Sequence, residues 1–256
     1  MDIAVYTKDT ELIGNHPALV LLPAYPFDHR MWEGVVRRVE GMPIISIDPP
    51  GFGDSPAVLD SPSLEVYADL VAQAVLSRGV TSALVGGCSM GGYAAMAMLQ
   101  RHPKLVRGLA LFGTYAGADT AEKRAHRVEL SVQAMVGNLD SAEGLEGMVA
   151  QRTRTEHPEM MEMLTQWVRQ PSGEALAWAQ RAMAGRPARL DVLREADVTS
   201  LVMRGSEDNI VSAEDAREMA DALGVEVETI ENGGHLLPIE APGAVARGII
   251  RTYAQL

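Results

Sequence analysis

The chemistry this chain could do concentrates on one serine framed by glycines, in Gly87-Cys88-Ser89-Met90-Gly91. An apolar run, Ala83-Leu84-Val85-Gly86, leads into it, and a small-residue stretch, Gly92-Tyr93-Ala94-Ala95-Met96-Ala97, follows. A strand that turns at once into a helix at this point forces Ser89 to a positive φ, and glycines at 87 and 91 remove the Cβ atoms that would collide across the turn. The turn would lift the serine hydroxyl above the carboxyl edge of a sheet. It would also set the Met90 N–H at a helix N-terminus, where negative charge is stabilised. A glycine-rich turn with an incidental capping serine would give the same five residues, so a nucleophile here requires a base and an orienting acid elsewhere in the chain.

The chain has six histidines. His16 and His102 each precede a proline, and His126 and His157 fall in a helical block, so surface or capping roles account for these four. His235 lies in Glu231-Asn232-Gly233-Gly234-His235-Leu236-Leu237-Pro238, a glycine-rich loop after the last strand pattern. That places it at the same sheet edge as Ser89. His29, after the first apolar strand, stays open as an alternative base. The acids that follow the run Leu201-Val202-Met203-Arg204 are Glu207 and Asp208. Asp208 is preferred, because a short carboxylate on a tight loop holds an imidazole N–H at little entropic cost.

Elements that would position these residues follow from the hydrophobic pattern. Short apolar β-branched runs at 18–22, 43–47, 82–85 and 106–112 alternate with amphipathic segments at 64–77 and 89–101, as in parallel strands joined by crossover helices. Ser63 is a natural N-cap for the first of these helices, with Glu65 in its first turn. The alternation resumes with strands at 200–204 and 225–230 and helices at 213–223 and 243–254. Between the halves, residues 116–188 are rich in Glu, Arg, Ala, Leu and Met, with no strand pattern, and predict three or four helices. The expected fold class is therefore α/β, with a mostly parallel central sheet, helices on both faces, and a helical lid inserted at 116–188. The core comprises 1–115 and 189–256.

Composition narrows the partners. The 256 residues are 47% hydrophobic and 22% charged, the balance of a soluble globular protein. A net charge of −12 lacks the basic face that phosphate backbones need, which excludes nucleic acid as an expected partner. It also disfavours anionic substrates by long-range steering, although one local arginine could outweigh that effect. Cys88 is the single cysteine, so no intramolecular disulfide or cysteine-paired zinc site can form. Beside Ser89, it is expected to point into protein as a buried structural residue. No leader pattern or long apolar run is present, and a cytoplasmic protein without membrane contact, monomer or homodimer, is expected.

Taken in order, Ser89, Asp208 and His235 resemble the triad of the α/β-hydrolases. Asp48-Pro49-Pro50-Gly51-Phe52-Gly53-Asp54-Ser55 is similar to that family's D-x-P-G-x-G-x-S loop, and Gly205-Ser206-Glu207-Asp208 and Gly234-His235 to its acid and histidine loops. The resemblance spans essentially the full length. The helical insertion and Asp28-His29-Arg30-Met31-Trp32 resemble the branch of small-molecule esterases and 3-oxoadipate enol-lactonases. It implies a serine hydrolase acting on a small ester or lactone, without metal or organic cofactor. C–C bond hydrolysis, perhydrolysis or lyase chemistry stays open on the same triad, as does a non-catalytic, receptor-like binder. One departure stands out: Pro23-Ala24-Tyr25-Pro26 replaces the usual His-Gly before the oxyanion loop. The prolines have no N–H, and alignment on His-Gly puts the donor at Tyr25, paired with Met90. Tyr25, Trp167 and Leu236 are the candidate substrate contacts, core packing being the simpler role for Trp167. Met148, Met160, Met161, Met163 and Met183 are expected mainly in helix cores, some of them lining an adaptable apolar pocket.

Overall fold

The computed structural model describes residues 2–57 and 61–256. Its sheet comprises β1 (Val5–Lys8), β2 (Ala18–Leu22), β3 (Ile44–Ile47), β4 (Ala83–Cys88), β5 (Val106–Phe112), β6 (Thr199–Gly205) and β7 (Val227–Ile230). The spatial order is β1-β3-β2-β4-β5-β6-β7, all neighbours parallel except β1 against β3. The antiparallel edge strand β1 was not expected, because its four residues show no run of buried apolar side chains. Another difference lies at β4, which continues through Gly86-Gly87-Cys88 instead of ending at Val85. Flanked on both sides by β2 and β5, these residues are held by ladder bonds despite the low strand preference of glycine.

The central strands are buried on both faces, and the period-2 alternation divides their side chains between two cores. Ala18, Val20 and Leu22 of β2 join Val85, Leu109 and Leu111 in one, beneath the helices Leu64–Leu76 and Met90–Arg101. Leu19 and Leu21 join Leu84, Cys88, Phe112 and Trp32 in the other. Ser63 caps its helix as expected, accepting from the N–H groups of Glu65 and Val66. Four α-helices occupy the insertion: Ala121–Met135, Gln151–Glu156, Pro158–Val168 and Gly173–Gly185. The insertion contributes to both cores: Ala175–Ala179 pack into the first, and Leu145, Val149, Leu164 and Val168 into the second. Among the described residues, no helix is long and apolar enough to cross a membrane.

Candidate active site

Ser89 follows β4 directly, with φ 49° and ψ −113°, and the helix Met90–Arg101 starts at the next residue. The flanking glycines are sterically required. A Cβ on Gly87 would stand 2.2 Å from the Gly91 carbonyl oxygen, and one on Gly91 would stand 2.1 Å from that of Leu22. Cys88 points into the second core, fully buried, with Sγ 3.7 Å from the His235 carbonyl oxygen. Burial pushes its thiol well above the usual range, which makes it an inert structural residue as expected.

Asp208 lies three residues beyond β6 and His235 five beyond β7, both at the carboxyl edge of the parallel sheet. His235 Nδ1 is 3.0 Å from Asp208 Oδ2 and 3.1 Å from Oδ1. Burial alone would raise the Asp208 pKa, but hydrogen bonds from His235 and the N–H groups of Val211 and Ile210 hold it below the ordinary carboxylate range. An ionised carboxylate only accepts, so Nδ1 carries the proton that faces Asp208, the tautomer in which a neutral imidazole leaves its lone pair on Nε2. Nε2 is buried and, among the described residues, has no hydrogen-bond partner. His235 and Ser89 line one cavity of about 340 Å³.

The turn after β2 limits which backbone N–H groups are left to donate. The Ala24 N–H donates to Met31 Sδ at 3.3 Å. With prolines on either side of the pair, Tyr25 is the donor left in this segment, and its side chain lines the cavity. The Met90 N–H occupies the first helical position, which has no intrahelical acceptor.

His29 belongs to a different constellation. Its Nδ1 is 2.7 Å from Asp48 Oδ1, and its ring stacks on Tyr6 with centroids 3.3 Å apart. Asp48, fully buried, also accepts from the N–H groups of His29 and Asp54, fixing the loop after β3. This makes His29 a loop anchor rather than a base for Ser89. Two expected substrate contacts are likewise not among the cavity-lining residues. Leu236 is fully buried in the second core, and Trp167 packs beneath the Arg30 guanidinium at 4.9 Å. Met148 and Met183 do line the cavity, whereas Met160, Met161 and Met163 pack against the second core.

Sequence reading predicted helices here but missed that one of them, Ala121–Met135, faces the cavity that Ser89 lines. Lys123, His126, Arg127 and Leu130 all line the cavity, and their spacing puts them on one helical face. His126 is exposed, as expected of a surface residue, and it also lines the mouth of this cavity. A buried ionic cluster backs this face: Asp119 accepts from Arg127 Nε at 2.6 Å, Arg186 Nη2 at 2.9 Å and Tyr115 Oη at 2.6 Å. Burial would raise the Asp119 pKa, but these three donors hold it far below the usual range. Arg186 also lies over the rings of Tyr93 and Tyr115.

A second missed residue is Glu240, which ties the insertion to the histidine loop. Its carboxylate accepts from Ala150 N and Thr153 Oγ1, each at 2.8 Å, and from Leu236 N at 3.2 Å. The His235 N–H donates to the Met148 carbonyl, and the Gln151 N–H to Glu207. Nothing in the sequence marks this junction, since its halves lie about ninety residues apart.

Comparison with known proteins fits this geometry. A family model described as the alpha/beta hydrolase fold matches residues 17–242. A 2-succinyl-6-hydroxy-2,4-cyclohexadiene-1-carboxylate synthase from Enterobacter sp. is 28% identical over 239 residues, covering 90% of this chain and 89% of that protein. A pimeloyl-[acyl-carrier protein] methyl ester esterase from Aromatoleum aromaticum is 34% identical over 101 residues, 39% of this chain and 38% of that one. Among solved structures, a thermophilic esterase from Thermogutta terrifontis with malate bound is 27% identical, with a TM-score of 0.90 over 99% of this chain and 93% of that one. The enol-lactonase from Burkholderia xenovorans LB400, 20% identical, shares the fold with a TM-score of 0.86 over 98% of this chain and 96% of that one. With the family pattern matched from before β2 to the start of the last helix, the chain belongs to the alpha/beta hydrolase family.

Proposed function

We propose that the protein is a serine hydrolase that cleaves a small-molecule ester or lactone through an acyl-enzyme, with residues 116–188 acting as a cap. Ser89 Oγ attacks the carbonyl carbon while His235 Nε2 takes the hydroxyl proton, and Asp208 stabilises the imidazolium that forms. The tetrahedral oxyanion lies between the N–H groups of Tyr25 and Met90. Collapse breaks the C–O bond, and the leaving alkoxide takes the proton from His235. Water attacks the acyl carbon by the same route in reverse, releasing the acid and restoring Ser89. No metal or organic cofactor enters these steps.

The observation that carries the reading is the unpartnered Nε2 of a histidine paired with a buried aspartate, in the cavity that Ser89 lines. Esterases among the relatives support it. The test is hydrolysis of p-nitrophenyl acetate and hexanoate by the wild type and Ser89→Ala. Turnover by the wild type and a fall of roughly 10⁴-fold or more in the variant are expected. Equal activity in the two proteins would overturn acyl transfer at Ser89.

The synthase matched over 90% of the chain, an enzyme not named for ester hydrolysis, supports a second reading, in which the same triad serves C–C bond hydrolysis, perhydrolysis or lyase chemistry. Inactivity of both proteins on esters would favour it. Ligand binding that survives in Ser89→Ala, with no turnover in the wild type, would favour a non-catalytic binder.

A further inference from the structure

The cavity that Ser89 lines carries basic side chains although the protein as a whole is acidic. The chain carries −12 overall, yet the described residues lining the cavity include Lys123, Arg127 and His126 and no aspartate or glutamate. Asp119, behind this face, is shared by two guanidiniums, those of Arg127 and Arg186, so this cluster of three retains net positive charge. Arg127 engages its neighbours through Nε, on Asp119, and Nη1, 3.2 Å from Gln180 Oε1 and 3.4 Å from Met183 Sδ. Its Nη2 donates to no acceptor among the described residues. Asp119 and Gln180 thus fix the guanidinium while one of its donor groups stays available. Lys123 Nζ lies 5.2 Å from the centroid of the Tyr115 ring, a second wall of the same cavity.

We propose that Arg127, assisted by Lys123, binds a carboxylate on the substrate, so that the preferred substrates are short esters or lactones bearing a second, free carboxylate. A fixed guanidinium with a free N–H group suits a carboxylate oxygen, and Arg127 is only partly exposed, so solvent screens it less than it would a fully exposed side chain. Chain length is limited by an adjoining cavity, which shares Tyr25, His126 and Leu130 but is lined by Glu129, Asp140 and Glu143. A carboxylate reaching that far would meet like charge. The chemistry rests on the acyl-transfer reading, whereas recognition of the anion can be measured without turnover.

The test uses monomethyl glutarate and methyl pentanoate, which differ by a carboxylate in place of a terminal methyl. Wild-type kcat/KM should favour monomethyl glutarate by at least about tenfold, within what one charge-assisted hydrogen bond can supply. Arg127→Gln should bring the ratio of the two substrates close to one, and Lys123→Gln should lower it part of the way. The ratio is taken within each protein, so loss of folded enzyme cancels. A wild-type ratio of one or less would overturn the proposal, as would a ratio that neither substitution moves. Failure of both esters to turn over would count against acyl transfer alone. Titration calorimetry of the same two compounds into Ser89→Ala then decides. Tighter binding of the anion that is lost on adding Arg127→Gln upholds the site, and equal or absent binding overturns it.

Discussion

Asp208 stays ionised in a buried setting because an imidazole and two backbone N–H groups replace the water it has lost. Asp208→Asn should lower kcat by roughly 10⁴-fold, since an amide can donate to Nδ1 and so stabilise the wrong tautomer. The same carboxylate also couples stability to pH. Its folded pKa is lowered, so the unfolded chain binds more protons across the interval between the two values. The stability it contributes is therefore complete above the ordinary carboxylate range and is lost as the pH falls through the lowered folded value. Urea unfolding from pH 7 downward should show a shallower acid loss for Asp208→Asn than for the wild type. Asp119 poses a harsher problem, because Arg186 is almost fully buried beside it. Asp119→Asn strands that charge and should cost about 3 kcal/mol or more of unfolding free energy.

Among the elements, the junction between the insertion and the histidine loop is expected to govern how firmly His235, the proposed base, is held. Glu240 binds two groups of the 150–153 segment, and Met148 accepts from the backbone of His235 itself. Glu240→Ala should release this segment, raising amide exchange at Ala150 by at least about tenfold and lowering kcat more than KM is changed. Glu240→Gln, which retains one acceptor oxygen, should recover part of both. A variant that moves neither reading would mean the insertion is held by packing alone. At the turn holding Ser89 there is no such tolerance. Gly91→Ala places a methyl 2.1 Å from a backbone oxygen, and a thermal melt should show a strongly destabilised or unfolded protein.

At the scale of the whole molecule, the insertion has no core of its own. Its side chains enter both hydrophobic cores of the sheet, and Trp178 packs in the first while Trp32 lies in the second. Urea unfolding followed by tryptophan fluorescence and by far-UV circular dichroism should therefore give coincident transitions. Two separated transitions would instead mark an independently folding cap. Net charge acts at this scale too: the acidic surface repels an anion at long range, and the basic face of the helix Ala121–Met135 must reverse that locally.

The α/β order, a block of helices between residues 116 and 188 and the strained turn at Ser89 were legible in the sequence, which preferred Asp208 and His235 as a pair while leaving His29 open. Each of these rests on local rules: apolar runs of strand length, glycines where a Cβ would collide, and polar loops after strands. The extension of β4 through two glycines and the edge strand β1 escaped it, because their ladder partners, and not their own composition, make them strands. The Pro23-Ala24-Tyr25-Pro26 segment narrowed the oxyanion donors to two, and Met31, seven residues on, takes the Ala24 N–H. Trp167 and Leu236 were placed near the substrate by composition and adjacency, which say nothing of which way a side chain packs. Only the tertiary structure brought Lys123 and Arg127 over Ser89 and tied Glu240 to Ala150 and Thr153. Those contacts join segments tens of residues apart, and their geometry is set by how the helices pack across the sheet edge rather than by any local pattern.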